Sequence, residues 1–241
     1  VEITVRDNFD RFASMLTNAE REHLPFATAL ALNATARQVK ADLIQGMKGA
    51  FDRPTPFTLN SLFISPATKT APVAQVYFKD YAPKGSPAGK YLAPQIEGGA
   101  RRQKAMERKL SSVLGGRAIF LAPSKRTQLD GYGNPNRGQM ATILTRLAPG
   151  TLGLGRANSG KGKRRKEAFF AIAPGRNAGG LPVGIYQRKG REVIPVLTIA
   201  KAAPKYSRRF DFFGIGLRSI AANLDKMLPA AIEKALRSSR R

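Results

Sequence analysis

Hydrophobic positions along the chain switch between helical spacing and strand-like alternation. The opening VEITVRD (1–7) alternates apolar and polar residues and predicts a short strand. In the next segment Phe9, Phe12 and Leu16 stand near helical spacing, with Asp7 or Asn8 as N-cap. Pro25 suits the first turn of a new helix, because its missing amide hydrogen has no partner there anyway. Leu32, Ala36, Val39, Leu43 and Met47 then share one stripe and predict a long helix to about Phe51. Asn33, Arg37, Lys40 and Gln45 take the opposite face. DRPTP stops the helix, since Pro54 and Pro56 lack amide donors.

Beyond this point the pattern shortens. Residues 62–65 and 73–78 are apolar and partly alternating, with PATKTAP between them, and predict a hairpin. Tyr91, Leu92 and Ile96 predict a short helix. Ala105, Met106, Leu110 and Val113 form a helical face under a basic one. RAIFLAP (117–123) reads as a strand. Asn134 or Asn136 then caps a helix over 137–147, where Met140, Ile143, Leu144 and Leu147 cluster. Segments 167–174, 181–190 and 191–200 read as three antiparallel strands, with RKGRE as a tight turn. Leu217, Ile220, Leu224, Met227, Ala231 and Ala235 define a long C-terminal helix that Pro229 should kink or divide.

The elements amount to an α+β fold: a long N-terminal helix and a C-terminal helix packed on a mainly antiparallel sheet, with additional helices and a long basic loop. No repeat or linker divides the chain, so 1–241 reads as one domain with a flexible loop at about 149–166.

Composition narrows the chemistry. Cysteine is absent, which excludes disulfides and thiolate metal sites. With His23 the only histidine, a zinc site would have to be almost wholly carboxylate, so no metal or other cofactor is expected. No apolar run is long enough for a membrane helix. VEITVRDNFDRF also lacks the basic start and apolar stretch of a signal peptide. Serine hydrolysis needs a base, and the lone histidine has no such context. Carboxylate pairs such as Glu20/Glu22 read as solvated surface acids. The expectation is a protein without catalytic residues.

Charge is the strongest compositional signal. Lys and Arg number 41 against 16 acids, a formal +25, which draws phosphates or acidic surfaces over about 8 Å at physiological salt. Between Arg108 and Lys166 stand 13 basic residues and one acid, Asp130. The stretch GRANSGKGKRRK (155–166) has the G-x-x-x-x-G-K of a phosphate loop. Gly162, however, stands where a magnesium-binding hydroxyl is required, and no strand–helix context flanks it. The alternative is electrostatic: Arg156, Lys161, Lys163, Arg164, Arg165 and Lys166 form a pliable cationic loop for nucleic acid or an acidic partner. A solvated loop without a partner fits the same residues. RRQKAMERK (101–109) adds Arg101, Arg102 and Lys104, on a face that suits DNA, solvent or a neighbouring subunit. Phe169/Phe170 and Phe212/Phe213 read as core rather than as base-stacking platforms.

Four segments carry a resemblance: FDRPTPFTLNSLF (51–63) with PATK (66–69), KYLAPQIEGGARRQKAMER (90–108), LDGYGNPNRGQM (129–140) and GIYQRKGREVIPVLTIAKAAPKYSRRFDF (184–212). Together they resemble proteins of tailed bacteriophages and prophages grouped near the minor tail protein Z and tail-completion proteins. The resemblance implies a non-enzymatic virion protein of the neck or upper tail, assembled in the bacterial host cytoplasm. It implies a ring of identical subunits at the head–tail junction, contacting portal, adaptor and tail proteins and facing passing double-stranded DNA. The alternative drawn from charge alone is a free nucleic-acid-binding accessory protein.

Overall fold

The computed structural model describes residues 1–5, 18–82, 85–114, 117–124, 126–147, 167–175, 179–200 and 202–238. The predicted helix through Phe9, Phe12 and Leu16, with its Asp7 or Asn8 cap, lies outside these residues. So does the basic loop at about 149–166. The protein is α+β, and among the described residues its strands pair only antiparallel. The chain divides into two compact units, Val1–Gly98 with Ser207–Arg241, and Gly99–Tyr206. No linker-like sequence marks either crossing, which is why the chain reads as undivided from composition.

In the first unit β1 (Glu2–Val5), β3 (Ala74–Phe78) and β2 (Leu62–Ser65) form a three-stranded sheet in that order. Helix α1 (Asn18–Ala50) buries its predicted stripe completely: Leu32, Ala36, Val39, Leu43 and Met47 have no exposed surface. These side chains meet Leu62, Val76 and Phe78 of the sheet in one apolar cluster. Helix α1 differs from expectation at Pro25, which lies inside the helix rather than in its first turn. Pro25 is exposed, so the cost is confined to one lost backbone hydrogen bond and the local crowding of its ring.

Two polar groups on α1 are structural rather than solvated. The Asn33 amide donates to the Ala67 carbonyl at 2.9 Å and accepts from the Ala67 amide at 2.8 Å, fixing the β2–β3 connection. Asp42 accepts from Gln38 and from the Ser219 hydroxyl of helix α6 (Phe212–Ser238). Short helices α2 (Pro56–Leu59) and α3 (Ala88–Ile96) complete the unit. Thr55 caps α2, and Thr58 shares a hydrogen bond with Tyr91 of α3. The Gln95 carbonyl receives the amides of Arg209 and Phe210, which brings the returning chain alongside α3. Asp211 then caps α6 through the Gly214 amide.

Helix α6 continues through Pro229 to Ser238 instead of ending there. Leu217 does not join its buried stripe and is 64% exposed. Gly216 and Ser219 face inward in its place. The switch follows from packing: a Cβ on Gly216 would overlap the Ile3 side chain of β1, so this face needs its smallest residues where the sheet comes closest.

The second unit is entered and left through a two-stranded pair, β4 (Gly99–Ala100) with β9 (Lys205–Tyr206). Its centre is a four-stranded sheet in the order β5 (Phe120–Pro123), β8 (Glu192–Ala200), β7 (Gly184–Lys189), β6 (Glu167–Ile172). Helices α4 (Ala105–Val113) and α5 (Arg137–Leu147) supply Leu110 and Ile143 to a core with Ile185, Val196, Leu197 and Ile199. Asn136, not Asn134, caps α5: its side-chain oxygen accepts from the Gly138 and Gln139 amides.

Val196 and Leu197 are consecutive yet both buried in this core, which regular strand alternation forbids. The register explains it. Ile185 pairs with Leu197 but Tyr186 pairs with Pro195, so Val196 is an extra, bulged residue. Pro195, which has no amide donor, is accommodated in a central strand because the ladder is interrupted there. Beside the bulge, Gly184 approaches β8 so closely that a Cβ would stand 2.7 Å from the Leu197 carbonyl oxygen. That oxygen belongs to paired backbone and has little room to yield. Gly184→Ala should therefore cost roughly 1–3 kcal/mol, as overpacking does. Urea unfolding checks this, and an unchanged midpoint would contradict the close approach.

Candidate nucleic-acid or acidic-partner interface

Arg101, Arg102 and Lys104 precede α4, and the structure separates their roles. Arg101 is turned into the protein. Its guanidinium meets Glu107 with two contacts, 2.7 Å to Oε2 and 2.5 Å to Oε1, and lies 5.2 Å from the centre of the Phe120 ring. Glu107 is 1% exposed. Its carboxylate also accepts the Lys104 amide at 2.6 Å and the Leu121 amide at 2.8 Å. One buried carboxylate thus joins the approach to α4, the first turn of α4 and strand β5. Burial alone would raise the Glu107 carboxyl; the Arg101 hydrogen bonds and the two backbone amides outweigh it and hold the group below the ordinary glutamate range. The same hydrogen bonds push the Arg101 guanidinium up. Arg102 and Lys104 are exposed. Lys104 stands at the N-cap of α4, where an ammonium has no acceptor to offer, so Glu107 alone performs the capping.

Arg156, Lys161, Lys163, Arg164, Arg165 and Lys166 lie outside the described residues. The chain emerges from that segment at Glu167, the first residue of β6, which pairs with Lys189 at the tip of the β7–β8 hairpin. This end of the sheet has a cationic surface of its own. Lys189 pairs with Glu192, leaving Gly190 and Arg191 as a two-residue turn. Gly190 has φ 64°, as the first position of a type II′ turn requires. Arg188, Lys189 and Arg191 are all exposed on this tip.

The neighbouring corner is built with equal care. Strand β5 pairs with residues 197–200 of β8 and ends there. The chain then turns and binds the bulge: the Ser124 amide donates to the Val196 carbonyl, and the Ser124 and Thr127 hydroxyls donate to the Pro195 and Val196 carbonyls. This turn projects Arg126 to Glu192, with Nη1 2.8 Å from Oε1. The pattern reads 181–190 and 191–200 as strands with RKGRE as a tight turn, and periodicity does not register the charge that these segments bring together. Three cations in the four residues 188–191, at a hairpin tip, were the available signal.

The aromatic residues nearby offer no stacking platform. Phe170 stacks on Tyr186 at 5.6 Å, Tyr186 is buried, and Arg188 lies 5.9 Å from the Phe170 ring centre. Phe169 packs against the core. In the other predicted pair, Phe212 is fully buried whereas Phe213 is 47% exposed. Among the described residues no cluster of histidine and acidic side chains is arranged to hold a metal, and no helix is long and apolar enough to cross a membrane. Comparisons with protein-family models, curated proteins and solved structures return no match to this chain.

Proposed function

We propose that this protein is a non-enzymatic structural subunit of a tailed-bacteriophage virion, forming a ring at the head–tail junction around the DNA path. One observation carries the reading: residues in the segments that resemble the tail-completion family are spent on caps, turns and clamps. Thr55 and Thr58 serve α2 and its link to α3, and Arg101 and Glu107 clamp β5. Asp130 fixes its turn through the Tyr132 and Asn134 amides. Arg209 and Phe210 dock on Gln95. Such residues hold loops and helix ends in place, as a protein that works through its surfaces requires. Two of those surfaces expose large apolar side chains suited to subunit contacts: Leu129 and Tyr132 on the Asp130 turn, and Phe213 and Leu217 one helical turn apart on α6.

The proposed neighbours are identical copies, portal or adaptor proteins, and tail proteins, with assembly in the bacterial host cytoplasm. Mass photometry of the purified chain at micromolar concentration should reveal closed oligomers, and negative-stain images should show rings. A monomer at all concentrations, or a virion reconstruction placing the chain off the portal–tail axis, would remove this reading. The cationic sheet end favours the second reading, a free nucleic-acid-binding accessory protein, which predicts binding by a monomer.

A further inference from the structure

We infer that the end of the four-stranded sheet formed by Arg126, Arg188, Lys189 and Arg191 is a binding site for the phosphate backbone of double-stranded DNA. This goes beyond ring assembly and does not depend on it. Its residues are distinct from the cations of the 155–166 segment and from those preceding α4.

The backbone positions that carry the cations are held in fixed relation to one another. The type II′ turn at Gly190 sets the hairpin tip, and the bulge at Val196 receives the Ser124–Thr127 turn that carries Arg126. Adjacent strands lie about 4.8 Å apart, and the cations stand from the β5 side of β8 to β7, so the backbone positions that carry them span about 10 Å. Phosphates on one DNA strand recur about every 3.4 Å along the axis but, because the backbone winds, stand about 7 Å apart through space, so this width meets about two of them. Cations carried on an ordered backbone lose less freedom on binding than cations whose backbone must also be ordered.

Among the described residues the acids at this end are Glu167, opposite Lys189, and Glu192. Arg126 pairs with Glu192 in a bridge that is more than half exposed on both sides. An exposed bridge contributes little to stability. Its effect here is electrostatic: it cancels a carboxylate that would otherwise repel phosphate at the base of the hairpin.

Duplex rather than single-stranded nucleic acid fits the site. Single strands are gripped by stacking their bases on open aromatic rings, and the rings here are committed to one another, to the core or to arginine. Charge without base-reading groups predicts binding indifferent to sequence.

The test uses the full-length chain and fluorescently labelled duplexes of about 25 base pairs and of unrelated sequence, over a salt series. Replacing all four residues (R126Q, R188Q, K189Q, R191Q) should reduce the slope of log affinity against log salt by about 2, because Glu192 and Glu167 offset two of the four charges. It should weaken binding at least tenfold at low salt. E192Q should do the opposite, tightening binding severalfold, and this gain cannot arise from misfolding. Circular dichroism and mass photometry on the same samples report folding and ring formation separately. A folded quadruple variant with the wild-type slope, or an E192Q variant no tighter than wild type, overturns the inference whatever the oligomeric state. Loss of poly-glutamate binding with DNA binding intact assigns the site to acidic proteins and likewise overturns it. A single-stranded oligonucleotide bound more tightly than the duplex also overturns it.

Discussion

Replacing Arg101 by alanine should destabilise the Gly99–Tyr206 unit by about 3–5 kcal/mol at neutral pH, the cost of stranding one member of a buried ion pair. Glu107 would remain at 1% exposure with its two backbone donors and without its counter-charge. The pH dependence gives the loss a signature. In the wild type the Glu107 carboxyl is held below its ordinary value of about 4.5. Its contribution to stability is therefore full above that value and fades as pH falls through the depressed folded-state value. Removing Arg101 takes away the largest lowering influence and leaves burial, which raises the group. The penalty of R101A should accordingly be largest near pH 7 and shrink towards pH 4. E107Q should also destabilise, because its NH2 group would face donors that Oε1 or Oε2 now satisfies, and it should lose that part of the pH dependence. Urea unfolding at both pH values, with hydrogen exchange at the Leu121 amide, measures this. An R101A penalty equal at the two pH values would contradict the assigned role of the pair.

That clamp shows where sequence reading stops. The periodic stripe on α1 was legible because five side chains at helical spacing admit one burial pattern, and all five are fully buried. The strands of the second unit and the capping asparagine of α5 were legible for similar reasons: alternation and N-cap chemistry are local. Arg101 was not. Its neighbours Arg102 and Lys104 make it look like part of a solvent-facing basic cluster, and its partner Glu107 looks like another helix-surface acid. Only the fold brings Leu121 and Phe120 to them.

Leu217 failed for the opposite reason. It keeps helical spacing with Leu224, but the face that packs closely needs Gly216, and hydrophobicity patterns assign glycine no side. The cationic sheet end was half legible. The hairpin tip is contiguous in sequence, whereas Arg126 joins it through a bulge that no periodicity announces. Pro195 was the one local hint, since a proline in a central strand calls for an interrupted ladder.

Phe212→Ala should destabilise the other unit by about 3–5 kcal/mol, whereas Phe213→Ala, which loses a half-exposed ring and its edge contact with Phe212, should cost no more than about 1 kcal/mol. The two residues are adjacent in the first turn of α6, so changes in helix propensity are the same for both and cancel in the comparison. Burial is what differs. Phe212 has no exposed surface and sits among aromatic rings, 5.2 Å from Phe78 and 6.0 Å from Phe210, which itself lies 5.7 Å from Phe51. Truncating it would open a cavity where the end of α1, strand β3 and the start of α6 meet, and rings held by several neighbours collapse poorly into such a space. Phe213 is 47% exposed and leaves no comparable hole. Its exposed ring lies one turn from Leu217, so its loss should register in the distribution of oligomers instead of in unfolding. Guanidinium unfolding followed by circular dichroism, beside mass photometry of the same samples, separates the two effects. Equal destabilisation by both substitutions would show that the start of α6 is held by its cap and backbone alone, and that the aromatic cluster contributes nothing specific.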